Sequence, residues 1–402
     1  SIGPMGAPPL TGLRVLDLTR VLAGPYGTMI LGDFGAEIIK VEQPGRGDDT
    51  RRWGPPFTAA GESAYYLAAN RNKRSLTLNL KHEAGREVLR ALVRRSDVVI
   101  ENFKVGTMAR LGLGYGALHA INPGLIYCAI TGYGQTGPYR DRPGYDTVIE
   151  AQGGIMSITG PVEGPPFKVG VAIVDVTAGL YAALSILAAL YHRTRTGEGQ
   201  MIDIALFDTQ LGWLVNVASS YLVSGEPPHR YGNAHATIVP YQPFETADGW
   251  LMIAVGNDAQ FQRLCEVLEV PELAQDERFA TNEARVGNRA ALLPHLAARL
   301  RERPTRAWVE ALLAVDVPCG PVNDIPTALA DPQAQARGMV QEIEHARGGV
   351  IPQVGPVPKL SRTPPRIASA PPMLGEHTDD ILRDLLCYDE AHIDALREAG
   401  TV

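Results

Sequence analysis

The amino-acid sequence predicts an α/β fold, with a Rossmann-like large domain built on a parallel sheet and a smaller α+β domain. In the first half of the chain, short apolar segments alternate with longer segments of helical periodicity. This alternation is typical of βαβ units, whose strands run parallel. Near residue 220 the sequence becomes rich in Gly, Pro and His and then has a hairpin pattern, which indicates a second domain of different construction.

The strands of the large domain are predicted from seven short apolar runs. These runs are Leu13–Thr19, Glu37–Glu42, Ser75–Leu80, Val98–Asn102, Leu125–Thr131, Val169–Val174 and Met201–Leu206. Helices are expected between them: one opened by Pro25, which is favoured in a first turn, and others over Glu83–Arg95 and Thr177–Arg195. The turn after the first strand lacks a GxGxxG sequence, so a nicotinamide dinucleotide is not indicated.

The smaller domain is predicted from the turn Asp248-Gly249, which favours a hairpin over Phe244–Val255. Helical patterns follow over Ala259–Leu268 and Asn288–Arg303, and a last helical region covers Thr378–Glu398. We therefore expect residues 1–205 to form the first part of the large domain and 206–224 a linker. Residues 225–330 would form the small domain, and 331–402 the return linker and the last part of the large domain.

Composition excludes several classes of protein. The net charge of −7 argues against a nucleic-acid partner, which requires a broad basic face. The longest apolar stretch, within Thr177–Tyr191, contains Gly and Ser and is too short to span a bilayer, so no membrane association is expected. The N-terminal Ser1–Pro9 has no apolar core and does not resemble a signal peptide.

Cysteine and histidine usage indicates a cytoplasmic protein without a metal site. The four cysteines form no CxxC pair, which favours a reducing compartment over a disulfide scaffold. The histidines form no HExxH or HxH pattern. Cys387 and His392 lie five residues apart, but a chance pairing on a terminal helix explains them better than a metal site.

Asp175 stands in an unusual position, between an apolar run and a long helix. Ligands of parallel α/β sheets collect at the carboxyl ends of strands, beside helix N-termini. The partial positive charge of a helix N-terminus would keep this carboxylate ionised at neutral pH, able to attack an activated carbonyl. The alternative is that Asp175 only caps the helix. Position alone favours capping.

Several motifs along the chain bear on the role of Asp175. The sequence resembles the class III coenzyme A transferases, a superfamily that also contains the 2-methylacyl-CoA racemases. The similar segments are Pro9–Arg52, Asn72–Lys81 (NKRSLTLNLK), Val98–Tyr115 (VVIENFKVGTMARLGLGY), Gly144–Gly154 (GYDTVIEAQGG), Thr196–Leu206 (TGEGQMIDIAL) and Leu374–Leu382 (LGEHTDDIL). They occur in the family's order and cover almost the whole chain.

The resemblance implies that Asp175 is the nucleophile of a CoA transferase. Its attack on a thioester would give an aspartyl–acyl anhydride, which a second carboxylic acid and the retained CoA thiolate then resolve. The implied substrates are an acyl-CoA and a small carboxylic acid, with no permanently bound cofactor. The implied assembly is an interlocked homodimer. A mobile glycine-rich loop covers the intermediate in the family, but the matching segment Tyr231–Gln242 lacks a polyglycine run.

The resemblance also implies ligand contacts for ten further residues. Those implied for CoA are Val21, Leu22, Ala23, Arg74, Asn102, Phe103 and Arg110, and those implied for the acyl or acid substrate are Tyr65, Tyr145 and His235. Leu22 replaces a glutamine of some members. Arginine suits phosphate oxygens because of its planar fork of donors, although any single surface arginine could simply be solvated. His235 could equally be an ordinary loop histidine.

Tyr145 favours transfer over racemisation. The racemases carry a GHD motif with a histidine base, and this sequence has Gly144-Tyr145-Asp146 there. Tyrosine is a poor base at neutral pH but can donate a hydrogen bond to a carboxylate or an oxyanion; packing is its other interpretation. The block from Arg230 to Trp250 resembles members that use succinyl-CoA and a dicarboxylate such as glutarate. A racemase and a non-catalytic acyl-CoA-binding protein remain the alternatives.

Overall fold

The computed structural model describes residues 6–402, so part of the N-terminal segment considered above lies outside the described residues. The chain divides into two compact units. The first comprises the residues through Gly154, Val169–Ser219 and Pro332–Val402, and the second comprises Ile155–Lys168 and Ser220–Asp331. The domain boundaries expected from the sequence stay a prediction.

The strands lie in three sheets. They are β1 (Arg14–Asp17), β2 (Glu37–Glu42), β3 (Lys73–Thr77), β4 (Val98–Glu101), β5 (Ile126–Thr131), β6 (Met201–Ala205), β7 (Tyr241–Glu245), β8 (Trp250–Ala254), β9 (Cys319–Pro321), β10 (Val340–His345) and β11 (Gly349–Val354). The first six form one sheet in the order β3-β2-β1-β4-β5-β6, and all its neighbouring strands are parallel. This confirms the predicted Rossmann-like parallel sheet.

The helices connect and cover these strands. They are α1 (Ala23–Asp33), α2 (Ala64–Leu67), α3 (Glu83–Val93), α4 (Thr107–Arg110), α5 (Tyr115–Ile121), α6 (Asp146–Gln152), α7 (Ile155–Ile158), α8 (Ile173–Thr196), α9 (Leu206–Gly212), α10 (Val215–Ser224), α11 (Asp258–Val267), α12 (Pro271–Gln275), α13 (Asn282–Gly287), α14 (Arg289–Leu300), α15 (Thr305–Leu313), α16 (Ile325–Ala330), α17 (Pro332–Ala336), α18 (Thr378–Leu386) and α19 (Glu390–Glu398). The predicted terminal helical region is thus two helices.

The parallel sheet of the first unit has an apolar core on each face. Successive side chains of a strand point to opposite faces, so Val15 of β1 packs with α1 and α8, whereas Leu16 packs with α3, α5, α18 and α19. Burial on both faces explains why these strands read as continuous apolar runs.

The second unit has its own core. Strands β7, β8 and β9 form an antiparallel sheet, which confirms the predicted hairpin around Asp248-Gly249. Phe244 and Leu251 of the sheet share a buried cluster with Phe261 of α11 and Trp308 of α15.

The expected strand Val169–Val174 is wrong. The segment before Ile173 is irregular, and Ile173 and Val174 open α8. A short apolar run cannot be assigned to a strand or a buried helix start by periodicity alone. Asp175 consequently lies in the first turn of a 24-residue helix and not at the end of a strand.

Helix α8 is the one described helix that is long and apolar enough, by length and composition, to cross a membrane. The expectation that this apolar stretch is too short was therefore wrong. Core helices pass the same test, and the side of α8 that carries Ala178, Ala182 and Ile186 is buried in the core beside α1.

Candidate active site

Asp175 does not cap its own helix. The N-cap residue of α8 is Ala172, and Asp175 is the third helical residue. The capping acceptor is Asp146 at the start of α6, whose Oδ1 accepts the backbone N–H of Val174 at 2.8 Å and that of Asp175 at 3.0 Å. Because another carboxylate satisfies these N–H groups, the Asp175 side chain is available for other chemistry.

Two helix N-termini converge at Asp175 because α1 and α8 pack closely. A Cβ atom on Gly179 would lie 2.5 Å from the carbonyl oxygen of Ala23, and one on Gly27 would lie 2.7 Å from the carbonyl oxygen of Gly179. Only glycine allows this approach of the two backbones. It brings the first turn of α1, beginning at Ala23, beside the second turn of α8, and Ala23 and Asp175 line the same cavity.

A cavity of about 410 Å³ opens at this point. It lies past the carboxyl ends of β1, β4 and β5, next to the position where the strand order reverses, as expected for a ligand site in an open α/β sheet. Its lining comprises Arg20, Val21, Leu22, Ala23, Asp49, Asn102, Phe103, Lys104, Val105, Arg110, Ile130, Thr131, Gly132, Arg140, Asp141, Arg142, Pro143, Gly144, Tyr145, Asp175 and Leu206.

The carboxyl group of Asp175 is poorly solvated and faces a second negative charge. Burial raises its pKa, and the charge of Asp146 raises it further, to about 7. The expectation that the helix N-terminus keeps this group fully ionised at neutral pH is therefore wrong. Near pH 7 the group is divided between its two forms, and its anion carries little stabilising solvation, which is a reactive state for a nucleophile.

Most of the residues expected in the site line this cavity. They are Val21, Leu22, Ala23, Asn102, Phe103, Arg110, Tyr145 and Asp175. Tyr65 on α2 does not line it, but burial and then the charges of Asp175 and Asp146 raise the pKa of its hydroxyl, which places it within their influence.

Arg74 and His235 lie elsewhere. Arg74 pairs with Glu37 at 2.7 Å and borders a different cavity, beside His377. His235 belongs to the second unit, where its Nδ1 accepts the backbone N–H of Thr237 at 3.1 Å.

The sequence interpretation did not include four basic side chains of the cavity. These are Arg20, Lys104, Arg140 and Arg142, which with Arg110 outnumber the acidic lining residues Asp49, Asp141 and Asp175. Arg20 and Lys104 adjoin Val21 and Phe103, which the motifs had identified, so the sequence could have predicted these two basic residues. Arg140 and Arg142 lie in an exposed loop, where an arginine is ordinarily solvated. The cavity as a whole favours an anionic ligand.

A second cavity, of about 270 Å³, shares two walls with the first, namely Arg20 and Phe103. It lies beyond the carboxyl ends of β1, β2 and β3 and is bordered by Leu78 and Lys81. The two cavities together can take a long ligand with both apolar and anionic parts.

Comparison with known proteins gives consistent results. The model of the family described as CoA-transferase family III matches residues 10–378. The succinate–glutarate CoA-transferase of Agrobacterium fabrum is 49% identical over 387 residues, covering 95% of this chain and 97% of that protein. The succinyl-CoA:glutarate CoA-transferase of Homo sapiens is 45% identical over 394 residues, covering 98% of this chain and 90% of that protein.

More distant and structural relatives agree. The succinyl-CoA–D-citramalate CoA-transferase of Chloroflexus aurantiacus is 39% identical over 384 residues, with 95% of each chain covered. The crystal structure of a CaiB/BaiF family protein from Brucella suis superposes with a TM-score of 0.87 at 48% identity, covering 94% of this chain and all of that one.

Proposed function

This chain belongs to CoA-transferase family III and is a CoA-transferase, and we propose that it carries CoA from succinyl-CoA to a second short dicarboxylate through anhydrides on Asp175. The observation that carries the proposal is the position of this carboxylate. It lies in a cavity rich in basic side chains, relieved of any capping role by Asp146.

The first half of the reaction forms an acyl-enzyme. The Asp175 carboxylate attacks the thioester carbonyl, the C–S bond breaks, and CoA leaves as its thiolate. In the second half, the acceptor carboxylate attacks the aspartyl carbonyl and the donor acid leaves as its carboxylate. The thiolate then attacks the acceptor carbonyl, which forms the new thioester and regenerates the carboxylate of Asp175.

Burial of Asp175 supports this role. A carboxylate in water is a weak nucleophile because its hydration must be removed before attack, whereas the half-buried Asp175 has already lost part of that hydration. The same exclusion of water protects an anhydride, which bulk solvent would hydrolyse.

The two adjacent cavities support CoA as the group carried. Among the described residues no side chain caps the N-terminus of α1 at Leu22, so its first N–H groups can receive a phosphate oxygen. Arg20, Lys104 and Arg110 supply positive charge beside them. The apolar second cavity suits the adenine ring, and Lys81 at its edge suits a phosphate.

Tyr145 supports transfer over racemisation at the same site. It lines the cavity together with Asp175 and is two-thirds exposed, so packing does not account for it. Its hydroxyl can donate to the oxyanion that forms when the thioester carbonyl is attacked. The dicarboxylate substrates are inferred from the names of relatives that are 39–49% identical.

The proposal includes a homodimer, which the family resemblance implies to be interlocked, acting in the cytoplasm. Leu180, Leu184 and Tyr191 on α8 are 47%, 61% and 67% exposed, an apolar surface that a second copy of the chain would cover. Light scattering at micromolar concentration should give twice the mass of the chain; a monomer would contradict the dimer without affecting the chemistry.

Trapping the acyl-enzyme tests the proposed function. Wild-type protein mixed with succinyl-CoA and quenched with hydroxylamine or borohydride should carry a modification that peptide mass spectrometry locates at Asp175. Asp175→Ala and the isosteric Asp175→Asn should carry none and should transfer no CoA to glutarate. An adduct that persists in either variant would reject Asp175 as the nucleophile.

A further inference from the structure

In the loop that follows β1, side chains bind most of the backbone polar groups of Thr19, Arg20 and Val21. The side-chain amide of Asn102 accepts the N–H of Arg20 at 3.0 Å and donates to the carbonyl oxygen of Arg20 at 2.8 Å. The carbonyl oxygen of Thr19 accepts from Lys40 Nζ at 3.0 Å, and the N–H of Val21 donates to Asp48 Oδ1 at 3.2 Å. Three side chains therefore fix three consecutive residues.

Val21 has a backbone conformation that valine avoids. Its φ is 71°, in the left-handed region, where the branched Cβ clashes with the backbone. Such a conformation persists only when surrounding interactions over-determine it, and it clusters at ligand sites. Val21 lines the cavity that holds Asp175. The surrounding hydrogen bonds are thus candidates for the interactions that offset the strain of Val21.

A buried ion pair anchors the loop on one side. Lys40 and Asp48 are fully buried and 2.9 Å apart. Burial opposes ionisation of Asp48, but the charge of Lys40 and the hydrogen bonds from Lys40, Thr50 and Val21 outweigh it and lower the pKa of Asp48 to about 2. Asp48 is therefore ionised at neutral pH.

Asn102 completes the arrangement from the opposite side of the loop. It follows β4, while the loop follows β1, and these two strands are neighbours in the sheet. Each polar atom of its amide is engaged once by Arg20, so only the second N–H of Nδ2 and the second lone pair of Oδ1 are left for a ligand.

We propose that Asn102, together with the buried pair Lys40 and Asp48, acts as a positioning residue that holds Val21 in its strained conformation and so shapes the CoA cavity. This inference rests on the proposed function, since CoA is the ligand of that cavity. It changes the role that the family resemblance implies for Asn102, from a direct ligand contact to control of the loop.

Glycine at position 21 gives a specific test, because it adopts the left-handed conformation without cost, whereas alanine does not. Six full-length proteins are compared: wild type, Val21→Ala and Val21→Gly, each with Asn102 and with Asn102→Ala. Coenzyme A binding is measured by titration calorimetry, and thermal unfolding is measured for each variant. Asn102→Ala leaves the pair Lys40 and Asp48 intact, so we expect the fold to be retained, which the thermal unfolding checks.

The expected result is coupling between the two positions. With Asn102 present, Val21→Gly and Val21→Ala should bind CoA within about threefold of each other, because the hydrogen bonds hold either residue. Asn102→Ala should weaken CoA binding about tenfold in the valine background, through the loss of two hydrogen bonds to the loop. With Asn102→Ala, the glycine variant should bind at least about fivefold tighter than the alanine variant.

The outcomes separate this inference from the proposed function. The inference would be overturned if the ratio of CoA affinities between Val21→Gly and Val21→Ala were the same with Asn102 and with Asn102→Ala. A direct ligand contact or a general destabilisation would act regardless of residue 21 and would give that result. Steady-state kinetics should give a raised KM for succinyl-CoA and an unchanged KM for glutarate in Asn102→Ala; an equal rise in both would also overturn it. If wild-type protein binds no CoA, the proposed function itself fails.

Discussion

Asp146 Oδ1 accepts the backbone N–H of Asp175 at 3.0 Å, while the charge of the same carboxylate raises the pKa of the Asp175 side chain. One residue therefore has two opposed effects on its neighbour. It fixes the backbone of the first turn of α8, and it disfavours the ionised form of the side chain that this turn presents. Burial and then this negative charge set the pH at which Asp175 becomes a nucleophile.

Acylation of the enzyme should depend on pH with a midpoint near 7. Only the ionised carboxylate attacks, and the pKa of Asp175 is raised to about 7, so the rate should rise through that pH and fall about tenfold for each pH unit below it. Rapid-quench measurement of the first turnover with saturating succinyl-CoA, from about pH 5.5 to 8.5, checks this. A rate that is flat down to about pH 5 would show that the carboxylate is ionised well below neutrality.

Asp146→Asn should move this midpoint to lower pH. Asparagine keeps an oxygen that accepts the N–H groups of Val174 and Asp175, but it removes the negative charge, so the pKa of Asp175 should fall by about one pH unit. The same first-turnover measurement detects the change. Asp146→Ala, the control, should shift the midpoint likewise and also lose about 1 kcal/mol of stability, because the helix cap is gone. An unshifted midpoint in both variants would exclude the charge effect.

Tyr145→Phe separates the two chemistries of the superfamily. Loss of the hydroxyl should lower kcat for CoA transfer by about 100- to 1000-fold if it stabilises the oxyanion. The exposure of Tyr145 makes a folding defect unexpected, and thermal unfolding controls for one. Wild-type protein incubated with 2-methylacyl-CoA in D₂O should incorporate no deuterium at the carbon beside the thioester. Incorporation that Tyr145→Phe abolishes would favour a racemase.

Gly179→Ala should separate the two helices that form the site. The added Cβ would lie 2.5 Å from the carbonyl oxygen of Ala23, so α1 and α8 must move apart, at a cost of about 1–3 kcal/mol. Activity should fall with stability, because Ala23 and Asp175 stand in the first turns of these helices. Gly116→Ala on α5 is the matched control: nothing lies within 4 Å of its Cβ, and alanine in the first turn of this short helix should leave stability unchanged or slightly raised. Chemical denaturation and transfer assays distinguish the two variants.

The sequence predicted the parallel sheet because its strands are buried on both faces and leave continuous apolar runs. Strands β2, β5 and β6 begin and end within one residue of their predicted bounds. The strand predicted over Val169–Val174 was wrong for the same reason, because the buried start of a helix has the same apolar pattern. The error displaced Asp175 from a strand end to a helix turn but left it at the same edge of the sheet.

The site was predicted less completely than the fold, since its properties arise from contacts between distant residues. Asp146 is 29 residues from Asp175, and no local pattern predicts that it caps α8 or raises a pKa there. Asn102 was recognised by its motif, but its hydrogen bonds to Arg20 span 82 residues and depend on the β1–β4 pairing. Motifs therefore identified several residues without their physical roles.

Glu101, the last residue of β4, should destabilise the protein as pH rises. Burial raises its pKa to about 7, although the N–H of Phe103 and the hydroxyl of Tyr127 donate to its oxygens at 2.8 and 3.1 Å. Since the folded pKa exceeds the unfolded value of 4.5, the fold binds the proton more tightly. Stability is therefore full below about pH 4.5 and is lost as pH rises toward 7.

Glu101→Gln should remove this dependence. Glutamine is neutral at every pH and retains one oxygen for Phe103, while the hydroxyl of Tyr127 can accept from its amide. The variant should match wild type within about 1 kcal/mol near pH 5 and exceed its free energy of unfolding by about 2–3 kcal/mol near pH 8. Urea titrations at the two pH values measure the difference. If the free energies of unfolding of wild type and Glu101→Gln changed with pH in the same way, Glu101 would be ionised in the folded protein already near pH 5. Its charge would then be compensated by the two hydrogen bonds.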